Sequence, residues 1–230
     1  VNVYVQQDVD EFYNMLFDRI EAEMKGSPQA ELLDERFGGK LVHLVESREC
    51  EHVSAREEPY HALQCEVKGK ASLLDSLHTY IAGDLLAGDN KYHCSQCDKL
   101  VDAVKSTRIG TLPTNLVLHL KRFDFSLITF ERQKVNDRFE FPRELDMAEF
   151  MAPRDTTIVD DGGTVYDLNG VLVHTGTSDT GHYYSYICDQ ATGSWHQFND
   201  SMVTPFDPST LPEVAFGGDC PHSAYMLFYR

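Results

Sequence analysis

Basic side chains are scarce in this sequence. Its 230 residues include 20 Lys and Arg against 37 Asp and Glu, which gives a formal net charge of −17 at pH 7. A nucleic-acid-binding surface needs a stripe of Lys and Arg to neutralise phosphates, so this balance argues against a nucleic acid partner. The negative field favours a basic surface or a cationic peptide as partner, with plain solubility as the alternative explanation.

Long apolar runs and a dense cysteine pattern are also missing. No stretch approaches the roughly 18 consecutive apolar residues of a membrane-spanning helix, and no secretory leader opens the chain, which predicts a soluble protein without membrane contact. Six cysteines are too few for a small secreted disulfide scaffold, so we expect a reducing compartment, the cytoplasm or alternatively the nucleus. The first residue is Val1 rather than methionine, which indicates a fragment or a processed product.

The apolar residues that are present, 42% of the chain, suffice for a sizeable core, and their spacing predicts two capped helices. The first begins after Asp8, with Glu11 placed to complete a capping box. Its apolar stripe comprises Phe12, Leu16, Ile20 and Met24. The second begins after Ser72 and presents Leu74, Leu77 and Ile81 on one face.

Short β-branched and aromatic runs predict strands in the rest of the chain. Two lie at 38–45 and 60–67, in a small β-rich region. After residue 112 the predicted strands are 116–123, 165–175, 183–188, 195–198 and 224–229. The stretch 153–163 reads as a mobile insertion. The order of a helix, then a small β-rich region, then a larger antiparallel sheet indicates an α+β fold.

One histidine stands at a strand end, where it could carry chemistry. His182 follows a loop bracketed by Gly176 and Gly181, and a histidine in such a position can exchange protons near neutral pH. A structural hydrogen-bonding role is the alternative. Asn199 and Asp200 end the next predicted strand, and a hairpin would bring them beside His182 to fix its tautomer. An Asx-type turn is the competing interpretation of these two residues.

No Gly-x-Ser-x-Gly nucleophile elbow is present, so a cysteine is the nucleophile to look for. Cys188 lies about 20 Å from His182 if the strand between them is continuous. Cys65 sits in an apolar run, where inert cysteines are common, and Cys220 is a weak alternative. Cys94 and Cys97 form a Cys-x-x-Cys pair typical of a metal or redox site.

Six sequence segments together resemble the ubiquitin-specific proteases. They are 6–12 (QQDVDEF), 92–97 (YHCSQC), 118–123 (LHLKRF), 166–168 leading to 181–183 (GHY), 198–201 (FNDS) and 224–229 (AYMLFY). They occur in the family's order and span nearly the whole chain. The stretch 139–147 is most similar to the large X-linked branch of that family.

The resemblance implies a papain-like cysteine isopeptidase that cleaves after the C-terminal Gly-Gly of ubiquitin, with ubiquitin and ubiquitinated proteins as partners. Its α+β fold would comprise a partial thumb at 1–36, β-fingers at 37–110 and an antiparallel β-palm at 111–230. By motif match His182 is the general base and acid, Asn199 orients it, and Asp200 supports or replaces Asn199. The substrate-binding residues implied are Asp8, Glu11, Gly181 and Tyr183. For Asp8 and Glu11, helix capping is the alternative explanation.

The sequence departs from the family at the nucleophile. The family's Gly-x-Thr-Cys box precedes the 6–12 segment and is absent here, so we expect no turnover by these 230 residues alone. The first helix should also expose apolar surface. A catalytically inactive ubiquitin-binding or scaffold module is the second hypothesis, and a zinc-stabilised interaction domain is the third.

The resemblance also implies a structural zinc site in the fingers and no catalytic cofactor. Cys94 and Cys97 form one intact ligand pair. In the other pair Cys50 is present, but Ser47 occupies its partner's position. His52 is the residue close enough to replace it, since tetrahedral zinc accepts nitrogen as well as sulfur.

Overall fold

The computed structural model describes residues 8–126, 130–153, 163–178 and 180–230. The helices are α1 (Val9–Met24), α2 (Leu32–Phe37), α3 (Leu73–Ile81) and α4 (Leu211–Val214). The strands of the first half are β1 (Gly39–Ser47), β2 (Val53–Tyr60), β3 (Leu63–Glu66), β4 (Asp84–Leu86), β5 (Tyr92–Cys94), β6 (Lys99–Val101) and β7 (Ala103–Thr111). Those of the second half are β8 (Leu116–Lys121), β9 (Phe123–Ser126), β10 (Glu131–Lys134), β11 (Glu144–Asp146), β12 (Val165–Gly176), β13 (Gly181–Cys188), β14 (Trp195–Asn199), β15 (Met202–Phe206) and β16 (His222–Tyr229).

Helix α1 begins where the sequence predicts but buries a different face. The Asp8 carboxylate caps it by accepting from the Asp10 backbone N–H at 2.8 Å. Phe17 is the buried residue of this helix, whereas Phe12 and Leu16 of the predicted stripe are 46% and 41% exposed. The helix therefore presents apolar side chains to solvent, as the sequence analysis expects.

Helix α3 also begins at its predicted cap, Ser72, whose side chain accepts from the Asp75 backbone N–H at 3.2 Å. Leu73 and Leu77 are buried in the main core, while Leu74 is 39% exposed. Leu77 of the predicted face is therefore buried and Ile81 packs against the same core, while Leu73 takes the place of Leu74. The helix packs against β3 and β7.

A four-stranded sheet of order β2-β1-β7-β4 forms the first-half β region, and the β5–β6 hairpin lies beside it as a separate pair. All its pairs are antiparallel. The central pair joins distant parts of the chain, for example His43 opposite Thr107. The sequence analysis predicted β1 but missed β2 and β7. In β2, a run of charged residues hides the alternation.

The second half forms an eight-stranded sheet of order β15-β14-β13-β12-β16-β8-β3, with β11 paired to β12. Its pairs are antiparallel except for β3 and β8, which run parallel. Strand β3 lies within the range predicted for the fingers, so the chain enters the large sheet before it returns to the first-half β region. The boundaries 1–36, 37–110 and 111–230 stay a prediction.

Arg122 is fully buried directly after β8, where its guanidinium serves as a structural clamp. It donates to the carbonyls of Ala224 at 2.7 Å, Val135 at 3.0 Å and Asp137 at 3.0 Å. Burial lowers the pKa of Arg122 to about 10. These bonds connect the end of β8 to β16 and to the segment after β10. A buried guanidinium needs acceptors for its N–H groups, and here backbone carbonyls provide them.

Most of the predicted insertion at 153–163 lies outside the described residues. Within the described ranges, no helix is long and apolar enough to cross a membrane.

Candidate functional site

His182 and Asn199 meet at one end of the large sheet. Residue 182 lies at the start of β13 and residue 199 at the end of the antiparallel β14, so the hairpin brings both to the same edge. His182 Nε2 is 2.6 Å from Asn199 Oδ1. An amide oxygen can only accept, so Nε2 carries the proton and donates it. Nδ1 is then the basic nitrogen, and it has no hydrogen-bond partner among the described residues.

Asp200 lies at the periphery of this pair. Its Oδ2 atom is 3.9 Å from His182 Nε2, and its side chain is 81% exposed. The residue has φ of 51° in the two-residue turn that joins β14 to β15, a conformation that Asp tolerates better than most residues. The conformation of the turn is a sufficient reason for an Asp at position 200. The direct hydrogen bond to the imidazole comes from Asn199.

Gly181 is required by close packing inside the hairpin that carries His182. A Cβ atom at position 181 would lie 2.3 Å from both His174 Nε2 and the Thr175 carbonyl oxygen. The His174 ring is buried, 1% exposed, and packs against Tyr183 at 4.7 Å between ring centroids. Burial lowers the pKa of His174 to about 4, so this ring is neutral at physiological pH and serves as packing under the loop.

The substrate-binding candidates Asp8 and Tyr183 lie near each other, on the other side of the hairpin. Asp8 Oδ1 accepts from the Tyr225 hydroxyl at 2.6 Å as well as from the Asp10 backbone N–H. Among the described residues nothing donates to Oδ2. Burial and the negative charge of Asp8 raise the pKa of Tyr183. The fold thus fixes Oδ1 of this carboxylate, while Oδ2 has no donor in the part of the chain that the structure describes.

Glu11 is exposed in the first turn of α1, and its side chain forms no hydrogen bond or ion pair with any described residue. The reciprocal half of a capping box is therefore not formed. Sequence reasoning missed Tyr225, which fixes Asp8, although it lies in the 224–229 segment. A tyrosine in an apolar strand gives no sign that its hydroxyl reaches a helix cap.

The three fingers cysteines named in the sequence analysis converge. The sulfur atoms of Cys50, Cys94 and Cys97 all lie within 4.8 Å of one another. His52 Nδ1 lies 3.2 Å from Cys94 Sγ, and Ser47 Oγ lies 3.2 Å from Cys50 Sγ. The three thiols fit the ligands that tetrahedral zinc prefers. His52, the predicted fourth ligand, is not among the residues whose donor atoms all lie within 4.8 Å of one another.

Two of these thiols have pKa values shifted in opposite directions. Hydrogen bonds, foremost with Ser47 and then with Cys97, lower the pKa of Cys50 to about 7. The hydrogen bond with Cys50 raises the pKa of Cys97 to about 11. One thiolate in such a group makes the next harder to form, and a divalent cation would remove that conflict because it stabilises every thiolate it binds.

None of the cysteines forms a hydrogen bond with His182 in the described parts of the chain. Cys188 is at the opposite end of β13. Cys65 is fully buried, and desolvation raises its pKa to about 12, which makes it inert as a nucleophile. The site therefore holds the His182–Asn199 pair, and no cysteine is hydrogen-bonded to it among the described residues.

The comparison with protein families agrees with this geometry. A profile of the ubiquitin carboxyl-terminal hydrolase family matches residues 1–229. The chain belongs to this family. Human ubiquitin carboxyl-terminal hydrolase 9Y is 38% identical over 250 residues, covering 95% of this chain and 10% of that protein. Mouse ubiquitin carboxyl-terminal hydrolase 34 is 35% identical over 270 residues, covering 100% of this chain and 8% of that protein.

The resemblance to the X-linked branch of the hydrolase family is confirmed by mouse ubiquitin carboxyl-terminal hydrolase 9X, which is 36% identical over 95% of this chain and 10% of that protein. The chain thus spans about a tenth of these curated relatives. Among solved structures, the SAGA DUB module of Ubp8, Sgf11, Sus1 and Sgf73 bound to monoubiquitin matches with a TM-score of 0.82 and 29% identity, over 98% of this chain and 48% of that chain. This match confirms the predicted α+β fold of the ubiquitin-specific protease type.

Proposed function

We propose that this chain forms the base-bearing part of a deubiquitinating cysteine hydrolase, with the nucleophilic thiol outside these 230 residues. The observation that supports the proposal is the 2.6 Å contact between His182 Nε2 and Asn199 Oδ1. It fixes the tautomer in which Nδ1 can take a proton from a thiol.

In the proposed reaction His182 Nδ1 removes the thiol proton, and the thiolate attacks the carbonyl carbon of the isopeptide bond. The imidazolium then returns the proton to the leaving lysine amine, which leaves a thioester. His182 next removes a proton from water, whose oxygen attacks the thioester and releases the ubiquitin carboxylate and the thiol. Asn199 keeps the imidazole oriented in both steps.

The proposed substrate contacts use the acidic start of α1. Asp8, whose Oδ2 has no donor among the described residues, and the exposed Glu11 offer carboxylates to a cationic chain end, an interaction strengthened by charge. The net charge of −17 would guide a basic ligand to the site. The solved relative Ubp8 is bound to monoubiquitin, which supports ubiquitin and ubiquitinated proteins as partners here.

The fingers are proposed to hold one structural zinc ion. Cys50, Cys94, Cys97 and His52 would be its ligands, and the ion would stabilise the fold without taking part in the reaction. We further propose a cytoplasmic location, with the nucleus as alternative. The six unpaired cysteines support a reducing compartment.

The second candidate is a ubiquitin-binding or scaffold module without activity. It is favoured by one observation, the absence of a thiol bonded to His182 among the described residues. The third candidate, a zinc-stabilised interaction domain, accounts for the fingers cysteines but leaves the His182–Asn199 pair unexplained.

Cleavage of ubiquitin coupled to aminomethylcoumarin separates these candidates. We expect turnover by the gene product that contains the segment upstream of residue 1, its loss in the His182→Ala variant of that product, and no turnover by the 230 residues alone. Turnover by the isolated chain would disprove the assignment of the nucleophile. An inactive longer product that still binds ubiquitin would favour the scaffold module.

A further inference from the structure

The hairpin β9–β10 lies against the loop that carries His182, and two side chains connect them. Ser178 Oγ in the loop donates to the Arg132 carbonyl of β10 at 2.9 Å. Lys134 Nζ, two residues along β10, donates to the His174 carbonyl at 3.1 Å and to the Pro221 carbonyl at 3.3 Å. Both contacts thus reach the loop end of the β12–β13 hairpin.

The loop end of this hairpin passes a displacement on to His182. Thr175 is paired with His182, and Gly176 with Gly181. The Gly181 backbone approaches the His174 ring too closely to admit even a Cβ atom. Since packed interiors resist small movements, a shift of the His174 backbone must move Gly181 and with it His182.

The hairpin β9–β10 is itself fixed to the core at its base. Phe123 is paired with Lys134, and its ring contacts the His174 ring edge-on at 5.2 Å. The backbone N–H of Val135 donates to the Arg122 carbonyl at 2.6 Å. The Lys134 ammonium therefore starts from a rigid position, which is the condition for a side chain that positions another element.

Lys134 has no carboxylate partner within the described ranges, and its ammonium donates to the backbone carbonyls of His174 and Pro221. Burial lowers its pKa to about 8, with Arg122 contributing in the same direction. A half-buried ammonium without a counter-charge costs stability. Its hydrogen bonds hold two backbone segments in place beside the His182–Asn199 pair.

We propose that Lys134 and Ser178 are positioning residues, which join the β9–β10 hairpin to the His182 loop and thereby set the alignment of His182 with Asn199. Neither touches the imidazole. The inference rests on the proposed function only for its effect on turnover, because the alignment itself is measurable in the isolated chain.

Histidine NMR of the 230-residue chain tests the proposal. The ratio of the Nε2–H to the Nδ1–H tautomer of His182 reports its bond to Asn199, and Asn199→Ala gives the reference value for a lost bond. We expect Lys134→Met and Ser178→Ala each to lower this ratio about threefold to tenfold, the effect of one or two ordinary hydrogen bonds.

Matched controls separate positioning from general damage. Lys40→Met removes a lysine whose 2.7 Å ion pair with Glu57 lies in the first-half sheet. Ser194→Ala removes an exposed hydroxyl in the loop between β13 and β14. Both should leave the ratio unchanged. If Lys134→Met fails to fold, the tautomer ratio of the Ser178→Ala variant still tests the proposal. Ratios equal to those of the controls in the folded variants would overturn the proposal.

Turnover gives an independent second measurement in the longer gene product. We expect Lys134→Met and Ser178→Ala to lower kcat with little change in KM, since they align a base and do not bind substrate. A lowered tautomer ratio in a longer product that lacks turnover would leave the positioning inference standing and refute the proposed function. Full kcat in both variants would overturn the inference and leave the function intact.

Discussion

Asn199 and Asp200 are adjacent in sequence but differ in how they meet His182. The amide lies within hydrogen-bond distance of Nε2, whereas the carboxylate is 3.9 Å away and largely in solvent. Exposed pairs of this kind contribute little. The structure therefore ranks two residues that the sequence could only name together.

This ranking predicts different losses in the longer gene product. Asn199→Ala should lower kcat by about a hundredfold or more, because the imidazole loses the acceptor that fixes its tautomer. Asp200→Ala should lower it less than about threefold. Steady-state hydrolysis of ubiquitin coupled to aminomethylcoumarin measures both. Equal losses in the two variants would show that Asp200 shares the orienting function.

Lys134 gives the isolated chain a distinct pH dependence. Its pKa falls from 10.5 to about 8 on folding, so between these values the unfolded chain holds a proton that the folded chain has released. The free energy of unfolding contributed by this group therefore rises with pH across that window and carries its full penalty below about pH 8. Urea unfolding of the parent chain and of Lys134→Met from pH 7 to 10 measures the difference.

The difference between the two curves isolates Lys134, since the other titrating groups are shared. The free energy of unfolding of the parent chain should approach that of the variant as pH rises. Parallel curves would contradict the lowered pKa. Lys40→Met, which removes an exposed lysine, should show no such trend.

Residues with a local signal could be predicted from sequence, and residues defined by distant partners could not. His182 and Asn199 each sit at a strand end beside a turn, so their meeting follows from hairpin geometry. Tyr225 and Lys134 carry no such signal. Their roles arise only when α1 and β10, remote in the chain, pack against the large sheet.

At the scale of elements, helices α1 and α3 show which features depend on neighbouring residues and which depend on tertiary packing. The caps at Asp8 and Ser72 were predicted correctly, because capping depends on neighbouring residues alone. The apolar stripe of α1 was expected to be exposed, and Phe12 and Leu16 are exposed. The sequence did not indicate which face is buried, because that face is set by ring packing of Tyr13 and Phe17 against Phe37 in α2.

Helix α1 is also where binding and stability should separate. Asp8→Asn combined with Glu11→Gln should weaken ubiquitin binding about tenfold or more, since two charge-assisted contacts become neutral. The melting temperature should change little, because an asparagine still caps the helix. Calorimetric titration and thermal unfolding of the same preparation measure the two effects. A larger loss of stability than of binding would favour the capping explanation alone.

At the scale of the whole molecule, the thiol cluster brings together two segments that are distant in the sequence. Cys50 lies between β1 and β2, and Cys94 and Cys97 lie on the β5–β6 hairpin, yet their sulfur atoms converge. The sequence named all three, because a Cys-x-x-Cys pair is a local signal. It could not show that Ser47 stays in contact with Cys50 at the position of the missing ligand.

Zinc analysis of the purified chain tests the cluster. We expect about one zinc ion per chain, and its removal by a chelator should lower the melting temperature, because binding energy at a structural site is folding energy. Cys94→Ser should abolish zinc binding. Cys188→Ser, which changes a cysteine outside the cluster, should retain it. A content below about a tenth of an ion per chain would indicate a degraded site.

The pairing of β1 with β7 has a consequence for how this molecule reaches its native state. His43 and Thr107 are 64 positions apart, and between them the chain passes through β3 and α3, which belong to the core of the large sheet. Closing so long a loop is entropically expensive and slow. During refolding β1 should therefore pair with β2, its neighbour in the chain, before it pairs with β7. A cation held early between Cys50 and the β5–β6 hairpin would shorten that search.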